Sequence, residues 1–310
     1  MITGTKILKH LNNLAERKPI TAQIQMVNYC NNFCNYCRYV GIPTEKKKYV
    51  SIDEFKEYVR ILDGFGVKGY ILTGGEPTIS KDFDKITKWL EENEIPYGIN
   101  TNFNILKFIR PRYLKVSLDG YNSVSYKETR KVDKYEKTIE NIKQYIAWKK
   151  ENNIQTTVGI QKIGLDVEGC RKFYEAHKDL DVDYMSFRPV ESVKHYYYDD
   201  NDERPVVKFL EELREKDKRV LINYKYYQLR ECFDKCYANH LQIAINPFGD
   251  VVYCCNKSDE IVGHITDPDI LEKLAKHRTN MAECHVPCRM TGANALVRDM
   301  ETVTADSMFI

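Results

Sequence analysis

The chain has 310 residues, with 47 Lys and Arg against 45 Asp and Glu, enough for two domains or one large α/β unit with an appendage. It holds no apolar run of about eighteen residues to span a bilayer, and 43% hydrophobic with 30% charged residues suits a globular rather than a disordered protein. A net charge of +2 supplies no field to hold a polyanion, so neither a membrane nor a nucleic acid is expected as a partner.

In chain order, a short helix is expected within residues 1–20, then strands over Thr21 to Val27, Val67 to Thr73, Pro96 to Thr101, Tyr113 to Leu118, Ile154 to Lys162 and Asp183 to Arg188. Helical patterns fall between or after them, over Ser51 to Asp63, Lys81 to Asn93, Lys134 to Asn152, Val167 to His177 and Arg204 to Asp217. Ser51-x-x-Glu54 has the form of a capping box. The crossover from Asn102 to Pro111 has room for at most one helical segment. Repeated βα units predict a right-handed parallel sheet with its ligand site at the carboxyl ends of the strands. Both the Cys30 loop and the Gly74-Gly75-Glu76-Pro77 turn follow a strand and so reach that face. From about residue 218 the rhythm changes to a hairpin around Pro247-Phe248-Gly249-Asp250 and a helix from Pro268 to His277. We therefore expect a barrel-forming domain over 21–217 and a small second domain over 218–310. The aromatic and acidic stretch Lys194 to Glu203 reads as a solvated loop or as a lid over substrate.

Ten cysteines are unevenly placed. The first residues lack the apolar core of a secretory signal, so a reducing cytoplasm with free thiols is expected, and clustered thiols there suggest metal. Cys30, Cys34 and Cys37 share one short loop. Their spacing lets the loop wrap a cuboidal iron–sulfur cluster and ligate three of its irons, leaving the fourth open to a small chelating molecule. A zinc site or unrelated buried cysteines are the competing readings; zinc prefers four protein ligands, and no fourth Cys or His lies nearby.

Cys-x3-Cys-x2-Cys after a first strand, with Tyr36 before the last cysteine, resembles the radical S-adenosylmethionine (radical SAM) superfamily. Further motifs follow in family order. Gly74-Gly75-Glu76-Pro77 resembles the segment that binds the methionyl amino group, and Asn100-Thr101-Asn102 resembles the family's Thr-Asn-Gly except that Phe103 replaces the glycine. Ser117-Leu-Asp119-Gly120 and Arg130 resemble a Ser-Leu-Asp-Gly and a following Arg. By that resemblance Ser117 contacts the ligand, Arg130 pairs with its carboxylate, and Tyr36 packs near the adenine or merely plugs the loop. The resemblance implies a partial (β/α)6 TIM-like barrel whose four-iron (4Fe-4S) cluster, once reduced, splits S-adenosylmethionine into methionine and a 5′-deoxyadenosyl radical that abstracts hydrogen.

Cys236, Gly249, Cys254, Cys284 and Cys288 resemble the start of the SPASM/twitch extension, here shortened. This implies a small α+β domain with one auxiliary 4Fe-4S cluster on Cys236, Cys254, Cys284 and Cys288. A four-thiolate zinc site uses the same residue types. Cys170, Cys232 and Cys255 remain. Cys170 reads as a small core hydrophobe, whereas Cys232 or Cys255 could return a hydrogen atom to a substrate radical. Lys46-Lys47-Lys48 could dock a flavodoxin or ferredoxin electron donor, or simply face solvent.

The expected activity is that of a radical SAM oxidoreductase or epimerase, dehydrogenating or epimerising a small hydroxylated metabolite of sugar or aminocyclitol type. Only about twenty residues precede the first strand, so no amino-terminal peptide-binding domain is expected, which favours a small substrate. Epimerisation or crosslinking of a ribosomal peptide is the alternative, and a non-catalytic iron–sulfur or zinc relay or assembly protein is a third.

Overall fold

The computed structural model describes residues 11–164, 166–188, 204–222, 235–255, 257–277 and 290–301. Its frame is a single ten-stranded sheet. Strands β1 (Thr21–Val27), β2 (Tyr70–Gly74), β3 (Tyr97–Thr101), β4 (Tyr113–Ser117), β5 (Thr157–Ile163), β6 (Tyr184–Arg188) and β7 (Val220–Ile222) lie side by side in sequence order, all parallel. On the other edge β8 (Gln242–Ile245) pairs parallel with β1, then β9 (Asp250–Val252) and β10 (Ile261–His264) continue antiparallel. The hairpin segment is thus hydrogen-bonded into the main sheet, and β7 lies past residue 218 while still extending it. No break in the sheet coincides with the expected boundary at 217/218.

Helices α1 (Leu11–Ala15), α2 (Ile52–Gly64), α3 (Phe83–Glu92), α4 (Ser123–Arg130), α5 (Tyr135–Glu151), α6 (Val167–His177) and α7 (Arg204–Lys216) precede or connect the parallel strands, and α8 (Ile270–Lys276) and α9 (Thr291–Glu301) follow the hairpin. The Ser51 capping box forms as expected, with Ser51 N–H donating to Glu54 Oε2 at 2.8 Å and Glu54 N–H to Ser51 Oγ at 3.3 Å. Between β3 and β4 the chain crosses without a helix. Helix α4 was not expected. Asn122 and Ser125 cap it reciprocally, each side chain accepting the other's backbone N–H.

Alternation along the strands separates two environments. Ala22, Ile24 and Met26 of β1, Leu114 and Val116 of β4, and Met185 and Phe187 of β6 are fully buried in the main apolar core. The intervening positions are mostly polar and line a cavity on the other face of the sheet. In two inward positions a glycine faces a tyrosine of the next strand, Gly98 with Tyr113 and Gly159 with Tyr184. A Cβ at either glycine would overlap the tyrosine ring, so a bulky pair is accommodated only by a large–small match. Among the described residues no helix is long and apolar enough to cross a membrane.

Candidate active site

A cavity of about 400 Å³ opens at the carboxyl ends of the strands and is lined by residues from all of β1 to β6. One wall contributing from six neighbouring strands requires the sheet to curl around it. Cys30, Cys34 and Cys37, each on the loop after β1, all lie on this wall. Burial pushes the Cys30 thiol up to about 12, with Glu76 and the neighbouring thiols adding to the rise; burial likewise raises Cys37.

The loop is held from two sides. The last carbonyls of α4 reach it, Arg130 C=O accepting from Phe33 N–H at 3.1 Å and Thr129 C=O from Asn35 N–H at 3.4 Å. From β3, Asn102 Nδ2 donates to Asn31 Oδ1 at 2.6 Å and approaches Cys30 Sγ at 3.7 Å. Donors are aimed at sulfur: Asn32 N–H meets Cys30 Sγ at 3.3 Å, and Arg130 Nη1 meets Cys34 Sγ at 3.4 Å. N–H groups directed at sulfur favour thiolate over thiol.

The Gly-Gly-Glu-Pro turn is built tightly against the same loop. Gly75 N–H donates to Val27 C=O at 2.8 Å and Glu76 N–H to Tyr29 C=O at 3.0 Å. A Cβ on Gly75 would sit inside the Tyr29 carbonyl, so the second glycine is required by the protein's own backbone, in addition to facing the cavity. Glu76 is 1% exposed. Its carboxylate accepts from Thr78 N–H at 3.1 Å, Thr78 Oγ1 at 2.6 Å, Thr101 Oγ1 at 2.6 Å and Asn102 N–H at 2.7 Å. Burial raises the Glu76 carboxyl while those four donors oppose the rise. Every one of these neighbours donates, which fits an ionised side chain tying the β2 turn to the β3 turn.

Ser117 and Tyr36 lie on the cavity wall; Asp119 does not. Asp119 is 3% exposed and sits behind the wall, accepting from Ile163 N–H at 2.8 Å and from the Tyr36 hydroxyl, and pairing with Arg130 at 2.7 Å. Its acceptors are engaged, so it positions Tyr36 and Arg130 instead of meeting a ligand. Burial alone would lower the Arg130 pKa, but Asp119 beside it holds it well above its ordinary value. Arg130 keeps one face on the cavity, where its Nε is buried with no hydrogen-bond partner. Asn32 Nδ2 and Asn100 Oδ1, on the same wall, are likewise buried without partners. Three such atoms around one cavity are what a polar ligand leaves behind.

At Phe103, where the resembling motif has glycine, the backbone takes φ 57°, a left-handed conformation. The ring is fully buried, edge-on to Tyr145 at 5.8 Å, and that packing holds the unfavourable backbone in place.

The donor set suits an iron–sulfur cluster: three cysteines line one cavity, and N–H donors point at two of their sulfurs.

Of the second group, Cys232, Cys284 and Cys288 lie outside the described residues, as does the stretch Lys194 to Glu203. Cys236 and Cys254 are half-buried, and Cys254 Sγ accepts from Lys257 N–H at 3.3 Å. Cys255 lies on the same cavity wall as the first three cysteines. The loop beyond it is drawn toward the first cysteine loop by Arg38, which bonds Ser258 and pairs with Asp259 at 3.4 Å. Cys170 is fully buried in the core, as expected. Within the lysine run, Lys48 pairs with Glu54 at 2.7 Å and Lys47 lies over the Tyr29 ring.

Sequence reasoning missed the inward polar residues Gln23, Gln25, Lys115, Gln161, Ser186 and Arg188, all on the cavity wall. Their signal was the strict polar–apolar alternation of Gln-Ile-Gln, Lys-Val-Ser and Ser-Phe-Arg within strands already recognised.

Comparison with known proteins agrees with this fold. Probable GTP 3′,8-cyclases of Methanocaldococcus jannaschii and Thermococcus kodakarensis are 27% and 29% identical, over 57% and 46% of this chain and 62% and 48% of theirs. The chain therefore spans less than two thirds of the length of these relatives. Streptococcus suis SuiB superimposes with a TM-score of 0.66 at 17% identity, covering 88% of this chain and 70% of that one. The enzyme anSMEcpe with bound AdoMet gives 0.62 at 17%, covering 84% and 81%. At such identities the likeness establishes the parallel-sheet α/β fold. Residues 24–167 match the family model described as the radical SAM superfamily, and this part of the chain is a radical SAM superfamily domain.

Proposed function

We propose that the protein is a radical SAM enzyme: Cys30, Cys34 and Cys37 hold a 4Fe-4S cluster at the mouth of a partial barrel, and S-adenosylmethionine binds beside it. The single observation that carries this is the convergence of the three thiols, the Gly74-Gly75-Glu76 turn, Ser117 and Arg130 on one cavity. When bound and reduced, the cluster supplies one electron that cleaves S-adenosylmethionine to methionine and a hydrogen-abstracting 5′-deoxyadenosyl radical. The chain's own residues do the positioning. Gly74 and Gly75 offer backbone to the methionyl amino group, Asn102 steadies the cysteine loop, and Arg130, held by Asp119, presents Nε toward the ligand carboxylate. Tyr36, tethered by the same aspartate, walls the pocket.

Cys236 and Cys254, with Cys284 and Cys288, are proposed to bind an auxiliary 4Fe-4S cluster, and a flavodoxin- or ferredoxin-type protein to deliver the electron. Cys255 on the cavity wall favours return of a hydrogen atom to the substrate radical, the step of an epimerase. The thiol S–H breaks as the substrate C–H forms, and one electron from the external reductant with one proton from solvent restores the thiol. Cys232 remains the alternative donor, and dehydrogenation the alternative outcome.

The substrate expectation changes. Nothing in the comparisons supports a sugar or aminocyclitol: the curated relatives are named as cyclases of GTP, and SuiB and anSMEcpe have been crystallised with peptides. A small molecule other than a sugar or aminocyclitol is therefore proposed, with a peptide as the second reading.

The test is anaerobic incubation of the cluster-reconstituted protein with dithionite and S-adenosylmethionine. Formation of 5′-deoxyadenosine supports the reading, and its absence with an intact cluster sinks it. One solvent deuterium at carbon in the product supports hydrogen return.

A further inference from the structure

Asn32 stands in the loop between the first two cysteines, lines the cavity and is 2% exposed. Its backbone N–H donates to Cys30 Sγ at 3.3 Å. Its side-chain amide is gripped by one end only: Asn104 Nδ2 donates to Asn32 Oδ1 at 2.7 Å, whereas Asn32 Nδ2 is buried with no hydrogen-bond partner. The Tyr126 hydroxyl beside it donates to Asn104 Oδ1 at 3.0 Å and stands outside hydrogen-bond distance of Nδ2. Asn102 Nδ2, by contrast, already has Asn31 Oδ1 at 2.6 Å.

The grip comes from three elements of the fold. Asn104 follows β3; its Oδ1 accepts from Tyr126 of α4 and, at 2.9 Å, from Thr138 Oγ1 of α5, and its N–H donates to Asn102 Oδ1 at 3.0 Å. Tyr126 and Thr138 are fully buried. With two hydroxyls on its oxygen, Asn104 turns nitrogen toward Asn32, so Asn32 shows oxygen to Asn104 and has nitrogen left for another acceptor. A buried donor without an acceptor is destabilising, and such a group in a native fold marks a missing partner. A loop that wraps a cluster with Cys30 and Cys34 brackets Asn32 against sulfur. Cluster sulfurs accept hydrogen bonds, and those bonds help set the potential.

We propose that Asn32 Nδ2 donates a hydrogen bond to a sulfur of the 4Fe-4S cluster, with Asn104 as the positioning residue that turns it there, and that this bond raises the cluster's reduction potential. The inference rests on the reading that Cys30, Cys34 and Cys37 hold that cluster. The added electron makes the sulfurs more negative, so the bond strengthens on reduction. Removing the donor therefore favours the oxidised form.

The experiment is an anaerobic redox titration of the reconstituted full chain without S-adenosylmethionine, followed by the electron paramagnetic resonance signal of the reduced cluster. The signal is assigned by its loss when Cys30, Cys34 and Cys37 are all replaced by alanine. Asn32→Leu, close in size but without a donor, should lower the equilibrium constant for one-electron reduction about 10-fold, a shift of about 59 mV to more negative potential. Asn32→Ala makes the same comparison with a smaller side chain. Asn104→Leu, which frees the Asn32 amide to turn, should shift the potential the same way by less; no shift there overturns the role of Asn104. An unchanged or raised potential in both Asn32 variants overturns the hydrogen bond, and weaker S-adenosylmethionine binding in those variants would then give Asn32 to that ligand instead. Wild-type 5′-deoxyadenosine formation, measured in parallel, separates the claims. Product with unchanged potentials removes only the hydrogen bond, shifted potentials without product remove only the radical reading, and absence of the assigned signal removes both.

Discussion

Arg130 meets Asp119 at 2.7 Å with side chains only 7% and 1% exposed, and the same guanidinium lies 3.4 Å from the sulfur of Cys34. The pair joins the end of α4 to the cysteine loop from inside the protein, where removing one charge strands the other. Asp119→Asn should therefore cost about 3–5 kcal/mol in urea unfolding, and a double Asp119→Leu, Arg130→Met variant should recover part of that loss. A loss below about 1 kcal/mol in Asp119→Asn would show that the pair is hydrated and contributes little.

Phe103 combines a left-handed backbone with a fully buried ring, so two effects oppose at one residue. Phe103→Ala should destabilise by about 3–5 kcal/mol through the lost ring. Phe103→Gly loses the same ring but relieves roughly 1–2 kcal/mol of backbone strain, so it should be at least as stable as the alanine variant. Thermal or urea melts that place alanine clearly above glycine would contradict this account of the position.

Gly75→Ala inserts a methyl where the Tyr29 carbonyl already sits. The turn must move, at a cost of about 1–3 kcal/mol. Displacing it by even an ångström should lower 5′-deoxyadenosine formation by about 100-fold. Wild-type rates in this variant would mean that the turn does not position S-adenosylmethionine.

His177 is 1% exposed, and burial lowers its pKa to about 4. Its Nδ1 donates to Phe173 C=O at 2.7 Å and its Nε2 accepts from the Tyr135 hydroxyl at 3.0 Å, the pattern of a neutral ring. The unfolded chain, with a histidine near 6.5, binds a proton that the folded one refuses. Stability is therefore full above about pH 6.5 and falls as pH drops toward 4, by about 3 kcal/mol in total. His177→Gln should flatten that part of the pH profile, and an unchanged slope would assign the decline to other groups.

Much of this was readable from residue order. Thr21–Val27 and Val167–His177 match their expected limits, because period-two and helical patterns there are uninterrupted. The Cys30 loop and the Gly74 turn fell at strand ends, which a parallel sheet brings to one face. Helix α4 was missed because its eight residues, with Ser123, Ser125, Thr129 and two basic residues, have little apolar periodicity; only Asn122-x-x-Ser125 signalled it. The role of Asp119 was not readable either. Nothing in Ser-Leu-Asp-Gly tells whether the carboxylate faces ligand or the guanidinium of Arg130, since that depends on which side of the wall a left-handed residue at φ 59° turns. The attachment of β8 to β1 joins residues more than two hundred positions apart, and local pattern carries no trace of such a pairing.

Replacing Cys30, Cys34 and Cys37 together with alanine, and measuring iron content and reductive cleavage side by side with the wild type, decides whether these thiols hold the cluster. The variant should lose about four irons per chain, the complement of one cuboidal cluster, and with them all 5′-deoxyadenosine formation, while the iron assigned to Cys236 and Cys254 remains. Retention of the full iron content, or continued cleavage of S-adenosylmethionine without these three thiols, would contradict that assignment.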